Sequence, residues 1–141
     1  MLHQAFNEVY TKFKLHFYQE IFRRFQDREA SLTTVETFCM ESIMALGRPT
    51  VNEFATFMRI SPPNAAYKVN SLVKKGYVVR ARGKEDRRIV YISLSDKGRR
   101  AYEHHAEFHR QMIDSIKEEL TPQELDILYQ ALTKLNRWFR D

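Results

Sequence analysis

The stretch KEDRRIVYISLSDKG, residues 84–98, sets Glu85 and Asp86 against Lys84, Arg87 and Arg88 and then turns abruptly apolar. A guanidinium binds planar anions through a fork of N–H donors, and a carboxylate close by in sequence can accept from one edge of that fork. Asp86 stands two residues before Arg88. A carboxylate so placed holds the guanidinium in one extended rotamer and leaves its outer edge open, so the expected result is orientation rather than neutralisation. The competing account is a plain surface ion pair of small energetic weight.

Two other sets of residues have reactive side chains. His105 and His109, with His104 beside them, have the i, i+4 spacing that puts two imidazoles on one helix face, where they could ligate zinc; ordinary pocket or interface histidines are the alternative. Cys39 lies on the apolar side of a helix with no basic residue within a turn, which predicts a small buried hydrophobe rather than a redox-active thiol. A Gly-rich phosphate loop, a nucleophile elbow, a Cys-x-x-Cys pair and catalytically spaced carboxylates are all missing, so no enzymatic activity and no cofactor are expected. A lone cysteine cannot form an internal disulfide, and no apolar run approaches the roughly 20 residues that span a bilayer. The start MLHQAFNEVY does not read as a signal peptide. A cytoplasmic protein without membrane association is expected.

Charge is unevenly spread. Residues 61–100 carry eleven bases and three acids, a local +8 in a chain whose total is +5, which leaves −3 for the remainder. A basic middle in an acidic frame is the pattern of a protein that attracts phosphates to one face, and a merely solvated charged surface is its alternative.

The elements that must position these groups follow from periodicity and caps. Leu2, Phe6, Val9, Phe13, Phe17, Ile21 and Phe25 form a stripe along a helix of about seven turns over residues 2–27, widened by Tyr10, Tyr18 and Phe22. So wide an apolar face predicts dimerisation. A second helix opens at Ser31-Leu-Thr-Thr, with Thr33 and Glu36 in capping-box spacing, and ends at Gly47-Arg-Pro49. Thr50 and Glu53 repeat that spacing before a short third helix. Ser61-Pro62 starts a fourth at once, which Gly76 stops in the left-handed position. Two short helices so tightly joined make a helix-turn-helix unit. Residues 77–82 and 89–94 read as the strands of a β-hairpin, or wing. Ser95 caps a helix expected to run from Asp96 to Glu119, with Ala101, His105, Phe108, Met112 and Ile116 on one face, and Thr121 with Glu124 caps a last helix carrying Leu125, Leu128, Leu132, Leu135, Trp138 and Phe139. The fold class is therefore mainly α with a small β-wing: a winged helix-turn-helix flanked by long terminal helices.

In such a unit the second helix fits the major groove of duplex DNA and the hairpin tip reaches the adjacent minor groove, where a pre-aimed arginine is favoured. A winged domain that binds only protein is the rival reading.

The succession Leu72-Val-Lys-Lys-Gly76-Tyr77, Asp86-Arg87-Arg88 and Leu94-Ser95-Asp96-Lys97-Gly98, within this order of helices, resembles the MarR family of bacterial transcription regulators over essentially the whole chain. The resemblance implies a repressor modulated by an effector and bound as a homodimer to a pseudo-palindromic double-stranded operator. Residues 1–30 and 96–141 would form the dimerisation region of the single domain 1–141, and residues 31–95 the DNA-binding region. It casts Arg88 as the minor-groove contact, Asp86 as its orienting partner and Arg87 as a backbone or second groove contact, with Lys84 beside them. In the recognition helix it points to Ser61, Pro63, Asn64, Ala65, Tyr67, Lys68, Ser71 and Lys74. Many members read Ser-x-x-Thr-Val-Thr-Arg where this chain has Ser61-Pro-Pro-Asn-Ala-Ala-Tyr67, so its operator is expected to differ. Asn64 suits adenine, Ala65 a thymine methyl, and Tyr67 either a base or a phosphate.

The same resemblance implies an effector cleft, for which Phe13, Phe17, Phe38, His105, Phe108, His109 and Met112 are the candidates. Zinc-sensing members carry a Glu-His pair on the second helix where this chain has Thr37 and Phe38, and peroxide-sensing ones carry their thiol near the start of the first helix, unlike Cys39. No bound metal is expected, with His105 and His109 as the alternative ligands. The run His105-Ala-Glu-Phe108-His109-Arg-Gln-Met112 is similar to the Gram-positive fatty-acid-synthesis repressors of the family. That similarity implies an acyl-carrier-protein effector beside the small-molecule alternative.

Overall fold

A computed structural model describes residues 1–26 and 32–139, with every side chain there except those of Ile21, Arg24, Phe25, Gln26, His104 and His105. Ser31, the Ile21 and Phe25 end of the first apolar stripe and the His104 and His105 imidazoles therefore lie outside the described residues. The chain forms two compact units, Met1–Arg99 and Arg100–Asp141.

The first unit opens with α1, Leu2–Gln26. Leu2, Phe6, Val9 and Phe13 of its stripe are exposed, while Phe17 is half-buried and stacks on Phe38 of the next helix, with ring centroids 5.9 Å apart. Helix α2, Thr34–Leu46, starts on the expected capping box: Thr33 Oγ1 accepts from the Glu36 N–H and the Glu36 carboxylate accepts from the Thr33 N–H. Two of the four N–H groups that a helix start leaves unpaired are thereby satisfied. Helix α3, Val51–Met58, has only half of the expected box. Thr50 Oγ1 accepts from the Glu53 N–H, but Glu53 Oε1 takes the Thr50 hydroxyl proton at 3.2 Å instead of a backbone N–H.

Helix α4 spans Pro62–Lys74, and strands β1, Val78–Arg82, and β2, Val90–Leu94, pair antiparallel from Val78 opposite Leu94 to Arg82 opposite Val90. The backbone before α3 adds a fragment of a third strand, because the Ile92 N–H donates to the Pro49 carbonyl at 2.8 Å and Thr50 bridges Tyr91. Arg48 then lies over the Tyr91 ring, 5.0 Å from its centroid. The wing is thus fixed along the middle of β2 to the helix-turn-helix. The core beneath consists of Met40 and Ile43 of α2, Phe54 of α3, Val69 and Leu72 of α4, and Val78 and Ile92 of the hairpin, all essentially without solvent exposure.

The expected single helix from Asp96 to Glu119 is two. A turn at Ala101 and Tyr102 separates α5, Asp96–Arg100, from α6, Glu103–Glu119, and Tyr102 there takes φ −110°, ψ 0°. A break this short leaves the spacing of apolar residues in step, so periodicity carries no sign of it. On α6, Phe108, Met112 and Ile116 are half-buried, as their shared face predicts. Helix α7, Pro122–Arg137, has the full Thr121–Glu124 box but buries no residue, and Leu132, Leu135, Trp138 and Phe139 stay exposed.

The segment Leu94-Ser95-Asp96-Lys97-Gly98 closes the first unit. Ser95 Oγ accepts from the Gly98 N–H and donates to the Gly76 carbonyl, while Lys97 Nζ donates to the Lys75 carbonyl at 3.0 Å. Gly98 lies so close to the Tyr77 carbonyl that a Cβ there would overlap it. Absence of a side chain lets α5 settle on the end of α4.

Candidate nucleic-acid interface

Helix α4 is set at both ends by local chemistry. Ser61, extended at φ −67°, ψ 148°, accepts from the Asn64 N–H through Oγ, and Pro62 occupies the first helical position, where its missing N–H costs nothing. At the other end Gly76 stands at φ 83°, and the N–H groups of Gly76 and Tyr77 donate to the Val73 and Leu72 carbonyls, each at 3.0 Å. This is the left-handed termination that glycine favours.

Rotation of α4 about its axis sorts the candidates. Pro63, Asn64, Tyr67 and Lys74 are exposed, Tyr67 at 75%, and Lys68 is half-buried. Ala65 is fully buried and cannot meet a thymine methyl. It shares the i, i+4, i+7 face of Val69 and Leu72, a spacing that carries this signal in the sequence when followed back from the apolar pair. Ser71 is half-buried, and its hydroxyl is given to Glu36 Oε2 at 3.1 Å, so it is turned inward. Asn70, absent from the sequence-derived candidates, is exposed, and its Oδ1 accepts from Arg80 Nη2 of β1. Nothing local in the sequence announces that pair.

Glu36 has a second role that its cap did not reveal. Besides the Thr33 N–H and the Ser71 hydroxyl, its carboxylate holds Lys75 Nζ at 2.8 Å, and the side chain is 9% exposed against 29% for Lys75. Burial pushes the Glu36 carboxyl up, but the hydrogen bonds from Lys75, Thr33 and Ser71 together outweigh it and hold the group below the usual carboxylate range. The end of α4 is therefore fixed to α2 by this carboxylate and to α5 by Ser95 and Lys97.

The wing tip has the expected ion pair. Arg88 Nε donates to Asp86 Oδ1 at 3.1 Å, Nη2 to Oδ2 at 3.0 Å, and the Arg88 backbone N–H to Oδ1 at 3.0 Å. The pairing engages one edge of the guanidinium and leaves the Nη1 edge outward, with the side chain 91% exposed. Asp86 is held below its ordinary range by the Arg88 side chain and then by the Arg88 N–H, so the pair persists at neutral pH and loosens only as pH falls through that lowered value. Arg82 Nη1 donates to the Arg87 carbonyl, and the Gly83 N–H donates to the Ile89 carbonyl at 2.8 Å, closing the tip. Arg87 and Lys84 are exposed.

Of the cleft candidates, the structure brings Phe17 and Phe38 together, with Phe13 exposed one turn earlier. Phe108, His109 and Met112 lie on α6 in the second unit, Phe108 with its ring 5.8 Å from that of His109, and the His105 side chain is outside the described residues. Among the described residues no group of three or more His, Cys, Asp or Glu is placed to hold a metal ion. Cys39 is fully buried, and burial raises its thiol against a smaller opposing effect of Lys68.

A capped α4, a tight turn before it and an antiparallel wing with an outward guanidinium define a winged helix-turn-helix protein. The chain belongs to the MarR family of transcriptional regulators: the sequence model of that family matches residues 32–90. The HTH-type transcriptional regulator YwhA of Bacillus subtilis is 32% identical over 104 residues, 74% of this chain and 75% of the relative. Streptococcus pneumoniae FabT in complex with DNA is structurally similar with TM-score 0.65 and 25% identity over 96% of each chain. A mutant MepR from a multidrug resistant S. aureus clinical isolate shares the fold with TM-score 0.69 at 17% identity, over 99% of this chain and 98% of that one. The names of the family and of the B. subtilis relative indicate a transcriptional regulator. Among the described residues no helix is long and apolar enough to cross a membrane.

Proposed function

We propose that the chain is a repressor that binds a pseudo-palindromic DNA operator as a homodimer, with α4 in the major groove and Arg88 in the minor groove. The observation that carries this reading is the Asp86–Arg88 fork, which holds an almost fully exposed cation in one direction at the tip of a hairpin whose second strand is tied to the helix-turn-helix. A restrained guanidinium loses less freedom on entering a narrow, negatively charged groove, and it keeps donors for that groove. Asn64, Tyr67, Lys68 and Lys74 of α4, with Arg87 and Lys84 of the wing, complete the proposed contact set. Dimerisation is supported by exposed apolar residues along α1 and α7. The aromatic stack of Phe17 on Phe38 suits an apolar or acyl effector, small or carried on a protein.

Anisotropy titration of the chain against a duplex selected from a random-sequence pool tests the reading. Affinity is expected to fall with log salt at ~0.9 per phosphate contact, and footprints to show half-sites about 10 base pairs apart. A flat salt response removes DNA as the partner and favours a protein-binding domain.

Asp86→Asn separates orientation from charge cancellation. Simple cancellation predicts that losing the carboxylate tightens selected and unselected duplexes alike. Orientation predicts instead that the ratio of selected to unselected affinity drops about 3- to 10-fold while unselected binding holds or rises. Parallel titrations of both duplexes read that ratio directly.

A further inference from the structure

Helices α3 and α4 end in the same backbone device. At the end of α3 the Arg59 N–H donates to the Thr56 carbonyl at 3.2 Å and the Ile60 N–H to the Ala55 carbonyl at 3.1 Å, the pattern that Gly76 and Tyr77 make at the end of α4. Both motifs need one residue in the left-handed region. In α4 that residue is Gly76 at φ 83°; in α3 it is Arg59 at φ 57°, ψ 43°. Among the described residues Arg59 is the one non-glycine residue at positive φ. A Cβ in this conformation crowds the following carbonyl, which is why glycine ordinarily fills the position.

Nothing nearby asks for arginine there. The residue is exposed, and no acidic group pairs with its guanidinium among the described residues. A cation at a helix C-terminus gains from the helix dipole, but that gain is smaller than the left-handed penalty. A non-glycine residue held in the left-handed region where glycine would make the same two bonds is a place to look for a role of its side chain.

The position of Arg59 indicates what that is. It precedes the Ser61 cap by two residues, so its Cα is within about 7 Å of the cap that opens α4. Exposed Pro62, Pro63 and Asn64 follow. With the start of α4 seated in a major groove ~12 Å wide, the phosphates bordering the groove come within reach of an arginine side chain. We infer that Arg59 is a DNA-backbone contact, its guanidinium taking a phosphate that flanks the groove occupied by α4. The inference rests on the DNA-binding reading and adds a residue to it.

Because the strain and the contact act in opposite directions, one substitution separates them. Arg59→Gly is expected to leave Tm unchanged or raise it by up to about 4 °C, since the left-handed penalty is relieved. The same variant should bind the selected duplex about 3- to 10-fold more weakly, unselected duplex to a similar degree, and show a salt slope lower by about 2 per dimer, one phosphate from each protomer. Arg59→Asn, which tolerates the same backbone without a charge, should behave likewise, and Arg59→Lys should keep most of the slope. Unchanged affinity and slope in Arg59→Gly, with Arg88→Ala weakened in the same assay, overturns the contact and leaves DNA binding standing. A lower Tm with unchanged affinity assigns Arg59 to the α3 cap instead and also overturns it. If the native chain itself binds neither duplex, both readings fail together.

Discussion

Arg88→Ala is expected to weaken binding to the selected duplex by about 10- to 100-fold, the factor associated with losing a well-placed guanidinium contact. Unselected duplex should lose much less, because there the residue supplies only one charge among many. The protein itself should be undisturbed: Arg88 is 91% exposed, and its only described partner, Asp86, is also at the surface. Equal Tm with unequal affinity is therefore the signature. Arg88→Lys should recover only part of the loss, because an ammonium cannot make the side-on pair through Nε and Nη2 that fixes direction. A selected-duplex affinity that survives Arg88→Ala intact would take the wing out of DNA recognition altogether.

The second large effect is on stability. Glu36→Ala removes an acceptor shared by Lys75 Nζ, the Ser71 hydroxyl and the Thr33 N–H, and it opens both the start of α2 and the end of α4. Hydrogen bonds to a charged group are the strong ones, but the partial exposure of Lys75 lets water recover some of the loss. A cost of about 2–3 kcal/mol follows, read as a Tm lower by roughly 6–12 °C for a domain of this size. The pH dependence has a definite sign. The folded-state carboxyl is held below its ordinary value of 4.5, so its contribution is complete above that value and is lost as pH falls through the lowered one. Denaturation of the native chain and of Glu36→Gln should therefore differ most at neutral pH and converge in acid. A gap that stayed constant down to low pH would mean that the carboxylate charge is not what holds α4.

Much of this was legible in sequence wherever the cause is local. Thr33 with Glu36, Ser61 with Pro62, and Thr121 with Glu124 mark helix starts because a side chain three residues away satisfies an N–H that would otherwise be unpaired. Gly76 marks a helix end because its φ of 83° crowds any Cβ. Asp86 and Arg88 meet because a two-residue separation at a hairpin tip admits few other geometries. Other features depended on surroundings that residue order does not display. Thr50 and Glu53 have the same spacing as Thr33 and Glu36 but form only half a box, with the Thr50 hydroxyl turned to the Glu53 carboxylate and the adjoining backbone bridged to the wing at Tyr91. The break at Ala101 and Tyr102 left the apolar spacing unchanged.

The sequence by itself determined the succession of elements as far as Ser95, the caps at Thr33, Ser61 and Thr121 and the pairing at the wing tip, since each of these is decided by backbone sterics and hydrogen bonds over a few residues, and it determined the charge of residues 61–100 through composition alone. Only the tertiary structure decided which way α4 is turned, burying Ala65 and giving Ser71 to Glu36, and which distant groups share that carboxylate. Those outcomes come from close packing of α4 against α2, α3 and the hairpin, where the rotation of one helix is settled by the volumes of all its neighbours at once.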